Sequence, residues 1–193
     1  MAILIPADLT IVTLRDGDRE LPQRWTTEHA IAALRDASDL LKAQANIEFM
    51  LGRCERIAGT MPPGAAIDAV DEPGYAFLAA TYKAGDGVRV LAVDRLATTE
   101  VGAQLGQHTR VCVIPYGSDL GVVARTLAHA LGHLLALPHV DDNRRLESVQ
   151  ERQLAAWKKN LMYSGTLGRA PELSQSQVQA ARSSPLARRF GGH

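Results

Sequence analysis

Three histidines constrain this chain more than any other feature. They are His129, His133 and His139, in the stretch TLAHALGHLLALPH at residues 126–139. His129 and His133 are four positions apart, which on an α-helix stacks both imidazoles on one face, one turn apart. For His139 to reach the same point, the chain must leave the helix and turn back. Leu137-Pro138 gives it a place to do so, since proline disfavours helix in the residue before it. Leu131, Leu134 and Leu135 can pack the rest of the helix into a core, and Gly132 leaves room for another backbone to come close. A lone histidine on an apolar helix face is ordinarily a core residue. Three at this spacing instead form a zinc site with one open position, the arrangement found in catalytic centres. Zn2+ is therefore the expected cofactor.

The order of elements must deliver that helix. MAILIPADLTIVTL reads as a first strand, because it is apolar and β-branched, lacks a basic leader region and is interrupted early by Asp8. A helix follows, with Thr26 or Thr27 as cap and Ala30, Leu34, Ala37, Leu41 and Ala45 on one stripe beside Ile31. NIEFMLGRCERI, GYAFLAATY, GVRVLAVDRL and RVCVIPYG read as further strands, and MPPGAAIDAVDEPG as a loop. Pro115 marks the last of those strands as an edge. From Asp119 to Leu135 the pattern is helical. Beyond it, DDNRRLESVQERQLAAWKKN reads as a surface helix or insertion, LMYSGTLGRAPE as a loop, and LSQSQVQAARSSPLARRF as a terminal helix capped by Ser174. This is an α+β chain: a twisted mixed sheet with a backing helix and an active-site helix, then a smaller, mostly irregular part. A single domain over residues 1–193 is expected, with an N-terminal subdomain of about 1–136 and a C-terminal one of about 137–193.

Composition narrows the partners. Lys plus Arg and Asp plus Glu both number 21, so net charge gives no reason to expect nucleic acid or an anionic membrane. No apolar run approaches the ~18 residues of a membrane span, and with no signal peptide visible in this chain a cytoplasmic location is expected. Cys54 and Cys112 could pair, but free thiols are the simpler reading of two cysteines. His29, His108 and His193 are read as structural or solvated. Asp141 and Asp142 could orient a ligand histidine or form a solvated turn. Nothing in the sequence sets the oligomeric state.

HALGHLLALPH resembles the metzincin zinc motif H-E-x-x-H-x-x-G-x-x-H, with His129, His133 and His139 in the ligand positions. Ala130 stands where the family has its glutamate, and Ala136 where it has glycine. The second departure is mild only if the backbone there turns without positive φ. Downstream, NLMYSGTLG places Met162 where the family has the methionine of its Met-turn, an apolar floor under the histidines. LSQSQVQAAR resembles the family's C-terminal helix.

The resemblance implies a zinc-dependent endopeptidase acting on a peptide or protein substrate. In that class the glutamate takes a proton from the metal-activated water and delivers it to the leaving amine. Ala130 cannot do this, although metal binding can survive because the glutamate is not a ligand. An inactive form follows. The completeness of the rest of the site favours an engineered replacement of the glutamate. The alternative is a natural zinc-binding pseudopeptidase that acts as a peptide- or protein-binding module. The resemblance also implies that substrate lies extended along an edge strand. Residues 111–117 are the candidate, with Val113, Ile114, Pro115, Tyr116 and Tyr163 as candidate substrate-binding residues and a side-chain pocket near residues 162–168.

Overall fold

The long first strand, β1 (Ile3–Asp16), sits inside a parallel sheet and not at its margin. The computed structural model describes residues 1–16, 19–60, 69–97, 109–141, 151–164 and 171–191. On one side β1 pairs in parallel with β3 (Ile47–Thr60) along nearly its whole length, with an irregularity between Ala7 and Leu9. On the other it pairs with β4 (Val88–Val93), which in turn pairs with β5 (Val111–Pro115). The order β3-β1-β4-β5 is uniformly parallel. The expected mixed sheet is mixed only through β2 (Arg19–Glu20), which pairs antiparallel with the end of β1. Among the described residues β5 is an edge strand, as Pro115 suggested.

Parallel neighbours need crossover connections, and helices supply them on both faces. Between β1 and β3 runs α1 (Thr27–Ala45), capped by Thr26, whose side chain accepts from the His29 N–H. Its predicted stripe of Ala30, Leu34, Ala37, Leu41 and Ala45 is fully buried. Alternation along β1 sends Ile3, Ile5, Ala7, Leu9 and Ile11 into this same core. The other face, through Val12, Leu14, Leu91, Val93, Val111 and Val113, packs on α2 (Glu72–Thr81).

That helix corrects the strand reading of GYAFLAATY. Asp71 caps it by accepting from the Gly74 N–H, and Pro73 sits in its first turn. Gly74, Tyr75, Leu78 and Ala79 then form a buried face at helical spacing. The rest of the predicted loop, residues 61–68, lies outside the described residues.

The histidine helix, α3 (Leu120–Leu134), packs on the same face as α1. Asp119 caps it, and Val123, Leu127, Ala128, Leu131 and Leu134 point into the shared core. Of the charged stretch after it, α4 (Glu151–Lys158) is helical, and residues 142–150, with Asp142, lie outside the described residues. The single terminal helix expected is two: α5 (Gln175–Ser183) and α6 (Pro185–Phe190), broken where Pro185 removes a backbone donor. Their Ala181, Leu186 and Ala187 join the core built by β1, α1 and α3. Cys54 and Cys112 are free, and burial pushes the Cys112 thiol up to about 12. Among the described residues no helix is long and apolar enough to cross a membrane.

Candidate metal centre

The end of α3 shows how the third histidine is brought back. The helix stops before Pro138, through its own hydrogen bonds. Ala136 N–H donates to the His133 carbonyl (2.9 Å), and Leu137 N–H to the Gly132 carbonyl (3.0 Å). This pair of bonds is a Schellman motif, which requires a left-handed residue just past the helix. Ala136 fills that place with φ of 61°. The proviso for a mild departure from glycine therefore fails, because an L-residue is strained there. Ala136 is exposed, so its methyl contributes no packing. Ala136→Gly is expected to stabilise the protein by roughly 0.5–1 kcal/mol. Relief of ~1–2 kcal/mol of left-handed strain is partly offset by the ~0.4–1 kcal/mol that glycine's freedom adds to the unfolded chain. Urea midpoints of the two proteins measure this, and an unchanged or lower midpoint would contradict it.

Past the turn, all three imidazoles meet at their Nε2 atoms. The separations are 3.0 Å for His129–His133, 3.0 Å for His133–His139 and 3.1 Å for His129–His139. The Nδ1 atoms decide what this triangle is. His129 Nδ1 lies 2.7 Å from the Leu161 carbonyl, and His133 Nδ1 lies 2.9 Å from the Leu137 carbonyl. A carbonyl only accepts, so each Nδ1 must carry its ring's proton. The Nε2 atoms of neutral His129 and His133 are then bare lone pairs facing each other. Two lone pairs at this distance repel, and a cation between them resolves the conflict. A tetrahedral ion with nitrogen ligands at about 2.0–2.1 Å sets those ligands about 3.3 Å apart, slightly wider than the triangle seen. The donor set thus fits zinc, with each of these two tautomers fixed from behind by a backbone carbonyl.

The electrostatics agree. His133 is 5 % exposed, and burial, with His129 and His139 alongside, pulls its pKa down to about 3. Burial also lowers His129, and His139 adds to this, while the Leu161 carbonyl and Asp141 act against it. Both rings are held neutral, the form that ligates metal.

A consequence follows for the metal-free protein. Between the ordinary histidine value of 6.5 and the folded value of about 3 for His133, the unfolded chain binds the extra proton and the folded one does not. Stability therefore falls as pH drops through that window. Urea denaturation in the presence of chelator at stepped pH should show the fall, with a shallower slope in His133→Gln. Equal slopes in the two proteins would contradict the assignment.

The floor of the site comes from the turn after α4. Asn160 N–H bonds to the Trp157 carbonyl, and Tyr163 N–H to the Asn160 carbonyl (3.2 Å), so Leu161 and Met162 occupy a tight corner. Leu161 presents its carbonyl to His129. Met162 presents its own to the Val140 N–H (2.9 Å), beside His139. The Met162 side chain is fully buried against Gly132, where an added Cβ would lie 2.5 Å from the sulfur. Gly132 makes room for this side chain, not for a backbone as expected. Asp141 joins the histidine segment to the turn: its carboxylate accepts from the Ser164 N–H (3.1 Å) and the Ser164 hydroxyl.

Ala130 lies on α3 between the two helical histidines, half-buried, with its methyl against the core. The candidate substrate residues divide. Val113, Ile114 and Tyr163 are buried, whereas Pro115 and Tyr116 are half-buried at the end of β5. Tyr116 is edge-on to Trp25 and lies under Arg24, whose guanidinium is 4.6 Å from the ring centre. His29, called structural or solvated, completes this aromatic group. The pocket expected near residues 162–168 lies mostly outside the described residues, as do His108 and His193. Sequence reasoning missed Leu137, Leu161 and Asn160, because they act through their place in the backbone or through contacts with distant residues.

No protein-family model and no curated protein sequence matches the chain. Solved structures do. Archaemetzincin from Methanopyrus kandleri aligns with a TM-score of 0.58 at 12% identity, covering 97% of this chain and 96% of its own. Metalloproteinase-II from Bacteroides fragilis aligns with a TM-score of 0.44 at 13% identity, covering 92% of this chain and 52% of its own. The chain thus has a fold similar to that of archaemetzincin.

Proposed function

We propose that this chain is a metzincin-type zinc endopeptidase scaffold that binds an extended peptide and, with Ala130 in the general-base position, does not turn it over. The observation that carries this is the convergence of three Nε2 atoms from His129, His133 and His139, two of them with tautomers fixed for ligation. The likeness to archaemetzincin over nearly the whole chain supports it. The turn bearing Met162 fits the Met-turn of that family. It supplies one ligand's hydrogen-bond acceptor and packs beneath the helix. A zinc ion held there would supply Lewis-acid polarisation of the scissile carbonyl and of water.

The chain's own residues divide the remaining work. His129, His133 and His139 hold the metal, and the carbonyls of Leu161 and Leu137 keep two of them oriented. The edge of β5 offers backbone groups to an extended peptide. Because the Val113 and Ile114 side chains are buried, that contact is through backbone, with Pro115 and Tyr116 left to meet substrate side chains. No side chain at 130 moves a proton.

Ala136 bears on how the alanine at 130 arose. An alanine held at φ 61° is a second departure from the family motif, and disarming an enzyme does not require it. This supports the second reading, a natural pseudopeptidase that retains a peptide groove, beside an engineered change at 130.

The test uses an unbiased peptide pool with the zinc-loaded chain. Peptide is expected to bind, to be recovered uncut and to be released by chelator. Failure of any intact peptide to bind would remove the groove from the proposal.

A further inference from the structure

The corner at Leu161 and Met162 supports the histidines from behind: the Leu161 carbonyl meets His129 Nδ1, and the Met162 carbonyl accepts from the N–H of Val140, next to His139. What fixes the corner is a side chain, not the backbone alone. Asn160 Oδ1 accepts from the Met162 N–H at 2.9 Å. The same amide faces Gln177 in a reciprocal pair. Asn160 Nδ2 donates to Gln177 Oε1 at 2.8 Å, and Gln177 Nε2 donates to Asn160 Oδ1 at 3.1 Å. Gln177 is in turn locked by the capping box of α5, where its Oε1 accepts from the Ser174 N–H (2.9 Å) and its N–H bonds to the Ser174 hydroxyl (3.3 Å). The segment leading into α5 is tied to the corner as well, through Leu161 N–H to the Glu172 carbonyl (2.8 Å) and Glu172 N–H to the Lys159 carbonyl (2.7 Å).

We infer that the Asn160–Gln177 amide pair is a positioning element of the metal centre, which sets the Leu161 carbonyl against His129 Nδ1 from the start of α5. The inference rests on the metal-site reading above. The physical reason is geometric. Asn160 Oδ1 serves two donors, Met162 N–H and Gln177 Nε2, so the corner has one arrangement in which all these bonds form. That arrangement places the Leu161 carbonyl 2.7 Å from His129 Nδ1. With Gln177 gone, Asn160 loses both amide contacts to α5, and its side chain can rotate away from Met162. The carbonyl then loses its fixed aim. Outer partners of ligating histidines typically contribute ~10–100-fold in metal affinity.

The experiment compares three full-length variants with the unaltered chain. Gln177→Met keeps the side chain's length and removes the pair. Gln177→Glu keeps acceptance from Ser174 N–H and Asn160 Nδ2 but cannot donate to Asn160 Oδ1. Ser174→Ala removes the hydroxyl cap of the same helix and leaves the amide pair. Zinc affinity is read by competition with a chromophoric chelator, and ligand geometry from the visible spectrum of the cobalt(II)-loaded protein. Gln177→Met should bind zinc ~10-fold more weakly with an altered cobalt spectrum, Gln177→Glu should fall between, and Ser174→Ala should match the unaltered chain despite a lowered Tm. A merely structural role would make Ser174→Ala and Gln177→Met alike, and that result overturns the inference. So do unchanged affinity and spectrum in Gln177→Met or, should that variant not fold, in Gln177→Glu. If the unaltered chain binds neither zinc nor cobalt(II), the metal-site reading itself falls, and this inference with it.

Discussion

Ala130→Glu is expected to raise chelator-sensitive cleavage of a peptide pool by ~10²–10⁴-fold, the usual contribution of a positioned general base. Position 130 can receive the side chain. It is half-buried on α3 and not enclosed, so a longer side chain has solvent on one side while its first carbon keeps the contact that the Ala130 methyl makes with the core. Position 130 is also one turn from His133 along the helix, so a carboxylate there is near the histidine triangle. The substitution costs little as helix, since alanine and glutamate are both good helix formers.

Ala130→Gln separates chemistry from shape. Glutamine has the length of glutamate and can hydrogen-bond, but it cannot take up a proton at neutral pH. It should therefore bind peptide and zinc like the unaltered chain and cleave no faster. Equal rates in the Glu and Gln variants would remove the general-base role. No cleavage by the Glu variant, with zinc bound, would leave the binding-module reading in its place.

Much of this fold was legible because it is local. The stripe on α1, the caps at Thr26 and Ser174, and the pairing of His129 with His133 each depend on a few neighbouring residues. The error at α2 has the same root. GYAFLAATY is rich in apolar and aromatic residues, and it passes for a buried strand unless Asp71-Glu72-Pro73 is read as a helix start. The break at Pro185 is local too, since Ser184 caps a second helix there and its side chain accepts from the Ala187 N–H, but the apolar and basic pattern runs on through it and hides the break.

The site divides in the same way. The three ligands are chemically distinctive and close in sequence, so their convergence could be foreseen. The carbonyls of Leu161 and Leu137 could not, because every residue carries a carbonyl and only the fold decides its aim. The left-handed state of Ala136 was equally hidden, since a sequence shows the alanine and not its φ. Gly132 was noticed as a gap, but its occupant, Met162, comes from a distant turn. The Asn160–Gln177 pair joins two loop-proximal residues that no periodicity connects.

His133→Ala is expected to remove most of the stabilisation that zinc confers. Metal that binds only the folded state stabilises it by RT ln(1 + [L]/Kd), about 2.7 kcal/mol when free zinc is 100 times Kd. His133 has the most to lose of the ligands. It is the buried one of the three, and its Nε2 lies 3.0 Å from both partners. Its ring is held neutral to about 3, so protons do not compete for it near neutrality. Removing it leaves two imidazoles to hold the ion. If affinity falls ~100-fold, the same free zinc gives only about 0.4 kcal/mol, which is RT ln 2. The comparison is a urea midpoint with and without buffered zinc. His29→Ala serves as control, because His29 packs on Trp25 and Tyr116 and lies outside the ligand set. The zinc increment should persist in His29→Ala and nearly vanish in His133→Ala. The metal-free His133→Ala protein should also lose less stability on acidification, since the ring that resists protonation is gone. A zinc increment of equal size in both variants would mean that the metal sits elsewhere, and the triangle of Nε2 atoms would then need another explanation.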